Sequence, residues 1–75
     1  MNGRTQLFPV VMKIILPDLT TETMAGEPLS ISRILDRLRI NPCEVIVSRN
    51  GKLVPEDAVA GDEDEIRIIK IAHGG

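Results

Sequence analysis

Aromatic residues and cysteine are almost absent from this chain of 75 residues: it has one phenylalanine, no tyrosine, no tryptophan and a single cysteine, Cys43. One cysteine cannot form an intrachain disulfide, so the chain lacks the disulfide framework that is usual in small secreted domains. Phe8 alone offers no platform for stacking bases, and a net charge of -2 disfavours a nucleic-acid surface, which needs clustered lysine and arginine. We therefore expect no nucleic-acid partner.

Long apolar runs are also missing. The stretch from Val10 to Leu16 is broken by Lys13 and is too short to span a bilayer, and residues 1–6 lack the apolar core of a signal peptide. The sequence thus predicts a soluble, cytoplasmic protein with no membrane partner. With 43% hydrophobic residues, we expect one domain over residues 1–75 with a small packed core and loose residues 1–6.

Hydrophobic alternation predicts strands at residues 7–16, 20–24, 44–49, 52–54 and 65–72. The buried face of the first strand should carry Phe8, Val10, Met12, Ile14 and Leu16. Apolar residues at helical spacing predict one helix over residues 29–39 with Ser30 as its N-cap. Asn50-Gly51 predicts a type I′ hairpin turn, and residues 55–60 predict a single helical turn.

The order of these elements is strand, strand, helix, strand, strand, strand. The first and last strands are the longest and most apolar, so we expect them side by side and parallel in the middle of the sheet. One amphipathic helix can cover only one face of such a sheet. The fold class predicted is α+β: a β-grasp (ubiquitin-like) roll with a mixed sheet of about five strands and one main helix on one face.

The second half of the chain resembles a known family. Asn50-Gly51 followed by Lys52–Asp57, then the acidic turn and strand of residues 62–71, then Gly74-Gly75, is similar to the ThiS/MoaD sulfur carriers, and more to ThiS than to MoaD. Two features depart from the family pattern. Glu63 stands where the family's aspartate-glycine-aspartate turn has glycine, and Ala72-His73 precede the diglycine where small or apolar residues are often found.

The resemblance implies that the Gly75 carboxylate is the reactive group, placed at the end of a flexible tail that includes His73 and Gly74. An E1-like activating enzyme of the ThiF or MoeB type would use ATP to adenylate it. A persulfide or sulfide would then convert it to a thiocarboxylate, which delivers sulfur to thiazole synthase for thiamin biosynthesis. The chain itself would be a carrier and not an enzyme, with no bound cofactor or metal.

Three alternatives remain open on the sequence. A MoaD-like chain would form the small subunit of molybdopterin synthase with a larger subunit. A ubiquitin-like modifier would join Gly75 to lysines of target proteins after the same adenylation. A noncatalytic β-grasp binding module would make no use of the diglycine.

The last strand carries apolar side chains on both faces. Ile66 and Ile68 share one face, while Ile69 and Ile71 share the other with Arg67. Because the helix covers only one face, we expect Ile69 and Ile71, together with Val11 or Val47, to form an exposed patch for partner docking. Three further residues or segments have plain structural interpretations: Cys43 as a small apolar filler, His73 as a solvated residue, and residues 62–65 as a solvated turn with no metal site.

Overall fold

The structure, a computed structural model, describes residues 11–25 and 27–71. The described residues form seven strands, one α-helix and one short 3₁₀ helix. In chain order these are β1 (Val11–Ile15), β2 (Thr21–Ala25), β3 (Leu29–Ser30), α1 (Ile31–Arg37), the 3₁₀ helix (Pro42–Glu44), β4 (Val45–Arg49), β5 (Lys52–Val54), β6 (Val59–Ala60) and β7 (Glu65–Lys70).

Five strands form one mixed sheet in the order β2-β1-β7-β4-β5. The pair β1 and β7 is parallel, with Ile14 opposite Ile66, and the other neighbours are antiparallel. This confirms the predicted central pair of first and last strands. A mixed five-stranded sheet with one helix is the α+β, β-grasp architecture expected from the order of elements.

The core lies between α1 and one face of this sheet. In β1, Met12 and Ile14 are buried while Lys13 is exposed, which confirms the predicted alternation at these positions. Leu16, predicted on the same buried face, lies after the end of β1 and is only half-buried, while Phe8 and Val10 lie outside the described residues. Full burial of a side chain as large as methionine or isoleucine stabilises the folded state by about 1.5–3 kcal/mol relative to leaving it exposed. The buried hydrophobic residues of the core are Met12, Ile14, Ile31, Ile34, Leu35, Val45, Val47, Ala60, Ile66 and Ile68.

The helix starts where its cap predicts, but it is shorter than expected. The Ser30 side chain accepts the N–H of Arg33, at 3.3 Å, so Ser30 is the N-cap of α1. Leu29, predicted inside the helix, instead pairs with Ala60 in a two-stranded ladder, β3 with β6. The predicted helical turn over residues 55–60 is therefore wrong at its end. Both errors have one cause: β3 and β6 satisfy each other's backbone groups across a sequence separation that local patterns do not report.

The β4–β5 connection is the predicted hairpin. Asn50 and Gly51 have φ of 52° and 88°, the positive values that both central positions of a type I′ turn require. Strand β7 ends at Lys70, so the predicted strand over residues 65–72 is too long at Ile71; Ala72, residues 1–6 and residues 73–75 lie outside the described residues. Within the described part of the chain, no helix is long and apolar enough to cross a membrane.

Candidate functional site

The sheet has one face turned away from α1, here called the open face. Ile46 of β4 and Ile69 of β7 are directly opposite each other in the ladder and project from this face. Ile46 is 41% exposed, Ile69 38% and Ile71 37%. The shared exposure of these large aliphatic side chains makes the open face a candidate surface for contact with another protein.

The predicted patch is correct at two positions and wrong at one. Ile69 and Ile71 are exposed as expected, and Val11 is half-buried. Val47 is only 5% exposed, because the register places it opposite Ile68 on the face that α1 covers. Ile46 takes its place on the open face and was missed by the sequence analysis. The sequence pattern of β4 is ambiguous, because residues 45–47 are all apolar and period-two alternation alone does not say which of them faces outward.

Arg67 adds a positive charge to the open face. It lies in β7 between Ile15 of β1 and Ser48 of β4, and its side chain is exposed. A shallow depression of about 410 Å³ borders this region, and its walls include Ile69 and Leu19, which is 73% exposed. The open face therefore combines apolar contacts with a cation.

The last residue that the structure describes is held by a backbone hydrogen bond. The Ile71 N–H donates to the Glu44 carbonyl oxygen at 2.9 Å. Glu44 ends the 3₁₀ helix, whose N-cap is Asn41. Gly75, the predicted reactive residue, and the tail residues His73 and Gly74 lie outside the described residues, so this bond marks the last described position before them.

The opposite end of the sheet carries a polar cluster. Asp64 accepts the Gly61 N–H and the Asn50 side-chain amide, each at 2.8 Å. These two hydrogen bonds, the Gly61 one first, and the nearby Arg49 charge hold the pKa of Asp64 below its usual range. The cluster joins two turns. In residues 11–25 and 27–71 no group of three or more His, Cys, Asp or Glu side chains could hold a metal ion.

Glu63 occupies the acidic turn with φ of 66°. This left-handed conformation is easy for glycine and costly for other residues, which explains why the departure from the aspartate-glycine-aspartate pattern matters for the backbone. The turn is still formed, and its Glu63 N–H donates to the Val11 carbonyl at 3.1 Å. Glu63 therefore forms this turn with a left-handed backbone.

Cys43 lies in the 3₁₀ helix and is exposed. The expectation that it fills an apolar gap is wrong. Helix α1 already ends at Arg37, and Pro42 opens a separate three-residue 3₁₀ helix whose residues are all exposed.

Comparison with protein families gives a match over residues 7–75 to the family described as the ThiS family. The chain belongs to the ThiS family. It is therefore a ThiS-type member of a group of small sulfur-carrier proteins, whose members work with E1-like adenylating enzymes and with biosynthetic enzymes. The family assignment agrees with the motif of residues 50–75, where the asparagine-glycine turn, the acidic turn and the terminal diglycine follow one another.

Solved structures support the fold of this ThiS-family chain. A computationally designed protein based on human erythrocytic ubiquitin is 22% identical, with a TM-score of 0.63, over 88% of this chain and 96% of that one. A thiamine biosynthesis protein from Geobacter metallireducens is also 22% identical, with a TM-score of 0.57, over 85% of this chain and 88% of that one. At this identity the likeness concerns the fold. The comparison with curated proteins gave no match.

Proposed function

We propose that this chain carries sulfur on its C-terminal carboxylate, at Gly75, for biosynthesis of the thiamin thiazole. The observation that carries the proposal is the family match, which runs through Gly74 and Gly75. Two glycines leave the carboxylate on a segment without side chains, which can enter a narrow active site. The similarity to a thiamine biosynthesis protein from Geobacter metallireducens favours the thiamin branch over the molybdopterin branch.

The chemistry runs in two steps on partner enzymes. A Gly75 carboxylate oxygen attacks the α-phosphorus of ATP in an E1-like enzyme of the ThiF or MoeB type, and pyrophosphate leaves. Sulfide then attacks the carbonyl carbon of the acyl-adenylate, and AMP leaves with the electron pair of the broken C–O bond, so a thiocarboxylate remains. Dividing the reaction in this way replaces a poor leaving group with a good one.

A persulfide can replace sulfide as the sulfur donor. Its terminal sulfur attacks the carbonyl carbon of the acyl-adenylate, AMP leaves, and an acyl disulfide forms. A second thiol then attacks the other sulfur of the S–S bond, so the thiocarboxylate leaves and a disulfide between the donor and that thiol remains. The thiocarboxylate passes its sulfur to thiazole synthase. The carrier supplies the reacting carboxylate, while the partners supply the nucleotide site and the acid-base groups.

The open face is the proposed docking surface for these partners. Ile46, Ile69 and Ile71 supply exposed apolar area and Arg67 supplies a cation. A partner that presents an apolar patch with an acidic residue near its centre would complement this surface. Ile69 and Ile71 lie four to six residues before Gly75, so docking there would bring the carboxylate close to the same partner.

The test is the intact mass of the chain after incubation with ATP, sulfide and a ThiF-type enzyme from the same genome. We expect a gain equal to one exchange of oxygen for sulfur, mapped to Gly75, and no gain for a control chain that ends at Gly74. Adducts on the lysines of other proteins would instead identify a modifier. A lasting complex with a molybdopterin synthase large subunit would identify the MoaD-like role. No gain, from an enzyme that loads another carrier under the same conditions, would overturn the proposal.

A further inference from the structure

The hydrogen bond between Ile71 and Glu44 fixes the last described residue, four positions before Gly75. Bonded and non-bonded pairs alternate in an antiparallel ladder. Ile71 bonds to Glu44 and Asn50 bonds to Glu65, so the register makes Ile46 and Ile69 a bonded pair and leaves Val45 and Lys70 between them as a non-bonded pair. If the Glu44 bond is lost, the next backbone anchor lies two residues back, at Ile69.

Asn41 fixes the position of the Glu44 carbonyl. The Asn41 side-chain oxygen accepts the Cys43 N–H at 2.9 Å, and its backbone carbonyl accepts the Glu44 N–H at 3.0 Å. Asn41 has an extended backbone, with φ of -72° and ψ of 118°, as a cap residue should. Its side chain is exposed and so has little part in core packing. One exposed side chain thus orders the three-residue helix that presents the Glu44 oxygen to Ile71.

We propose that Asn41 is a positioning residue for loading of the Gly75 carboxylate, acting through Glu44 and Ile71. The inference rests on the proposed function. An enzyme docked on Ile46 and Ile69 holds the carrier at a fixed place, and the four residues after Ile71 reach at most about 14 Å. Releasing Lys70 and Ile71 would add about 7 Å of free chain. Ordering these two released residues costs conformational entropy each time the carboxylate enters the active site. A smaller fraction of docked carriers then holds the carboxylate next to the α-phosphorus of ATP, which lowers kcat.

The first experiment is ATP–pyrophosphate exchange by the ThiF-type enzyme with carrier variants of the full chain. Asn41→Ala should lower kcat about five- to tenfold, while the KM for the carrier should rise no more than about threefold, because Ile46 and Ile69 keep their ladder positions and only Ile71, of the three docking residues, is released. Asn41→Asp should restore kcat, since an aspartate oxygen accepts the same Cys43 N–H. The matched control is Ser30→Ala. It removes the N-cap hydrogen bond of α1, in which Ser30 Oγ accepts the Arg33 N–H at 3.3 Å, and leaves the bond between Ile71 and Glu44 in place.

The second experiment removes the Ile71 N–H, the donor of the bond to Glu44, directly. An ester in place of the Lys70–Ile71 amide eliminates the Ile71 N–H and leaves every side chain intact. It should lower kcat as Asn41→Ala does, and adding Asn41→Ala to the ester should cause no further loss. Amide hydrogen exchange at Ile71 should accelerate on the order of tenfold in Asn41→Ala and remain unchanged in Ser30→Ala.

The outcomes separate this inference from the proposed function. Normal exchange with the wild-type chain, together with unchanged kcat in Asn41→Ala, would overturn the inference alone. An equal loss of kcat in Ser30→Ala would also overturn it, because the effect would then be general destabilisation. No pyrophosphate exchange with the wild-type chain would overturn the proposed function and this inference with it.

Discussion

Asn50 and Asp64 are 14 residues apart in the chain, and the Asn50 side-chain amide donates to the Asp64 carboxylate at 2.8 Å. The carbonyl oxygen of the same Asn50 side chain accepts the Glu65 N–H, also at 2.8 Å. One side chain therefore joins the β4–β5 turn to the start of β7. Asn50 has two functions in the fold, since its positive φ also forms the type I′ turn.

Asn50→Gly should separate these two functions. Glycine keeps the positive φ of the turn but loses both side-chain hydrogen bonds, so we expect the free energy of unfolding to fall by about 1–2 kcal/mol. Asn50→Asp should cost more, because a second carboxylate would face Asp64. Urea denaturation measures both. An unchanged midpoint in Asn50→Gly would show that the link to Asp64 contributes nothing to stability.

Asp64 should make stability depend on pH in acid. Its folded pKa is lowered, so its contribution is fully present above the unfolded value of about 3.9 and is lost as pH falls through the folded pKa. Asp18 acts in the same direction, since the Thr20 hydroxyl, and then the Thr20 N–H, lower its pKa. We expect the denaturant midpoint of unfolding to be independent of pH above about pH 5 and to fall below about pH 4. The decline should be shallower in Asp64→Asn. A decline of equal steepness in Asp64→Asn and in the wild type would contradict this.

Glu63→Gly should stabilise the fold. Glu63 has φ of 66°, where glycine avoids a cost of about 1 kcal/mol, so the net gain should be about 0.5–1 kcal/mol after the larger entropy of the unfolded chain is included. Thermal unfolding measures the change. Glu63→Ala is the control, since it removes the same carboxylate and keeps the strain. Equal stabilities of the glycine and alanine variants would mean that the turn is unstrained.

Ile69→Ser should weaken docking of the activating enzyme. The residue is at the centre of the open face, so the KM for the carrier should rise about tenfold, as for a central contact of an interface. Val59→Ser is the matched control, because Val59 is 53% exposed but belongs to the separate β3–β6 pair. Pyrophosphate-exchange kinetics measure both variants. If Val59→Ser raises the KM as much as Ile69→Ser does, the open face is not the specific docking surface.

Cys43→Ser should leave stability within about 0.5 kcal/mol, because the side chain is exposed and the Cys43 N–H, which bonds to Asn41, is unaffected. Denaturation of the two chains measures this. A loss of several kcal/mol would indicate that Cys43 is buried after all, as the sequence analysis expected.

Local sequence patterns were enough to predict much of the fold. Alternation in residues 11–15 identified β1 and its buried face, Ser30 identified the start of α1, and Asn50-Gly51 identified the hairpin. These predictions hold because strand period, helix caps and turn conformations depend on neighbours a few residues away. The candidate site was predictable in part, since Ile69 and Ile71 are exposed as the two apolar faces of the last strand indicated.

The sequence by itself thus determined the five strands of the main sheet, the start of α1, the central pair of strands and the family motif that ends at Gly75. Only the tertiary structure decided that Ile46, and not Val47, lies on the open face, because the register against β7 chooses the face of three consecutive apolar residues. The pairing of β3 with β6, the link from Asn50 to Asp64 and the bond from Ile71 to Glu44 were likewise decided by the fold. Each of these joins backbone or polar groups that are distant in sequence, and their meeting depends on how the whole chain packs.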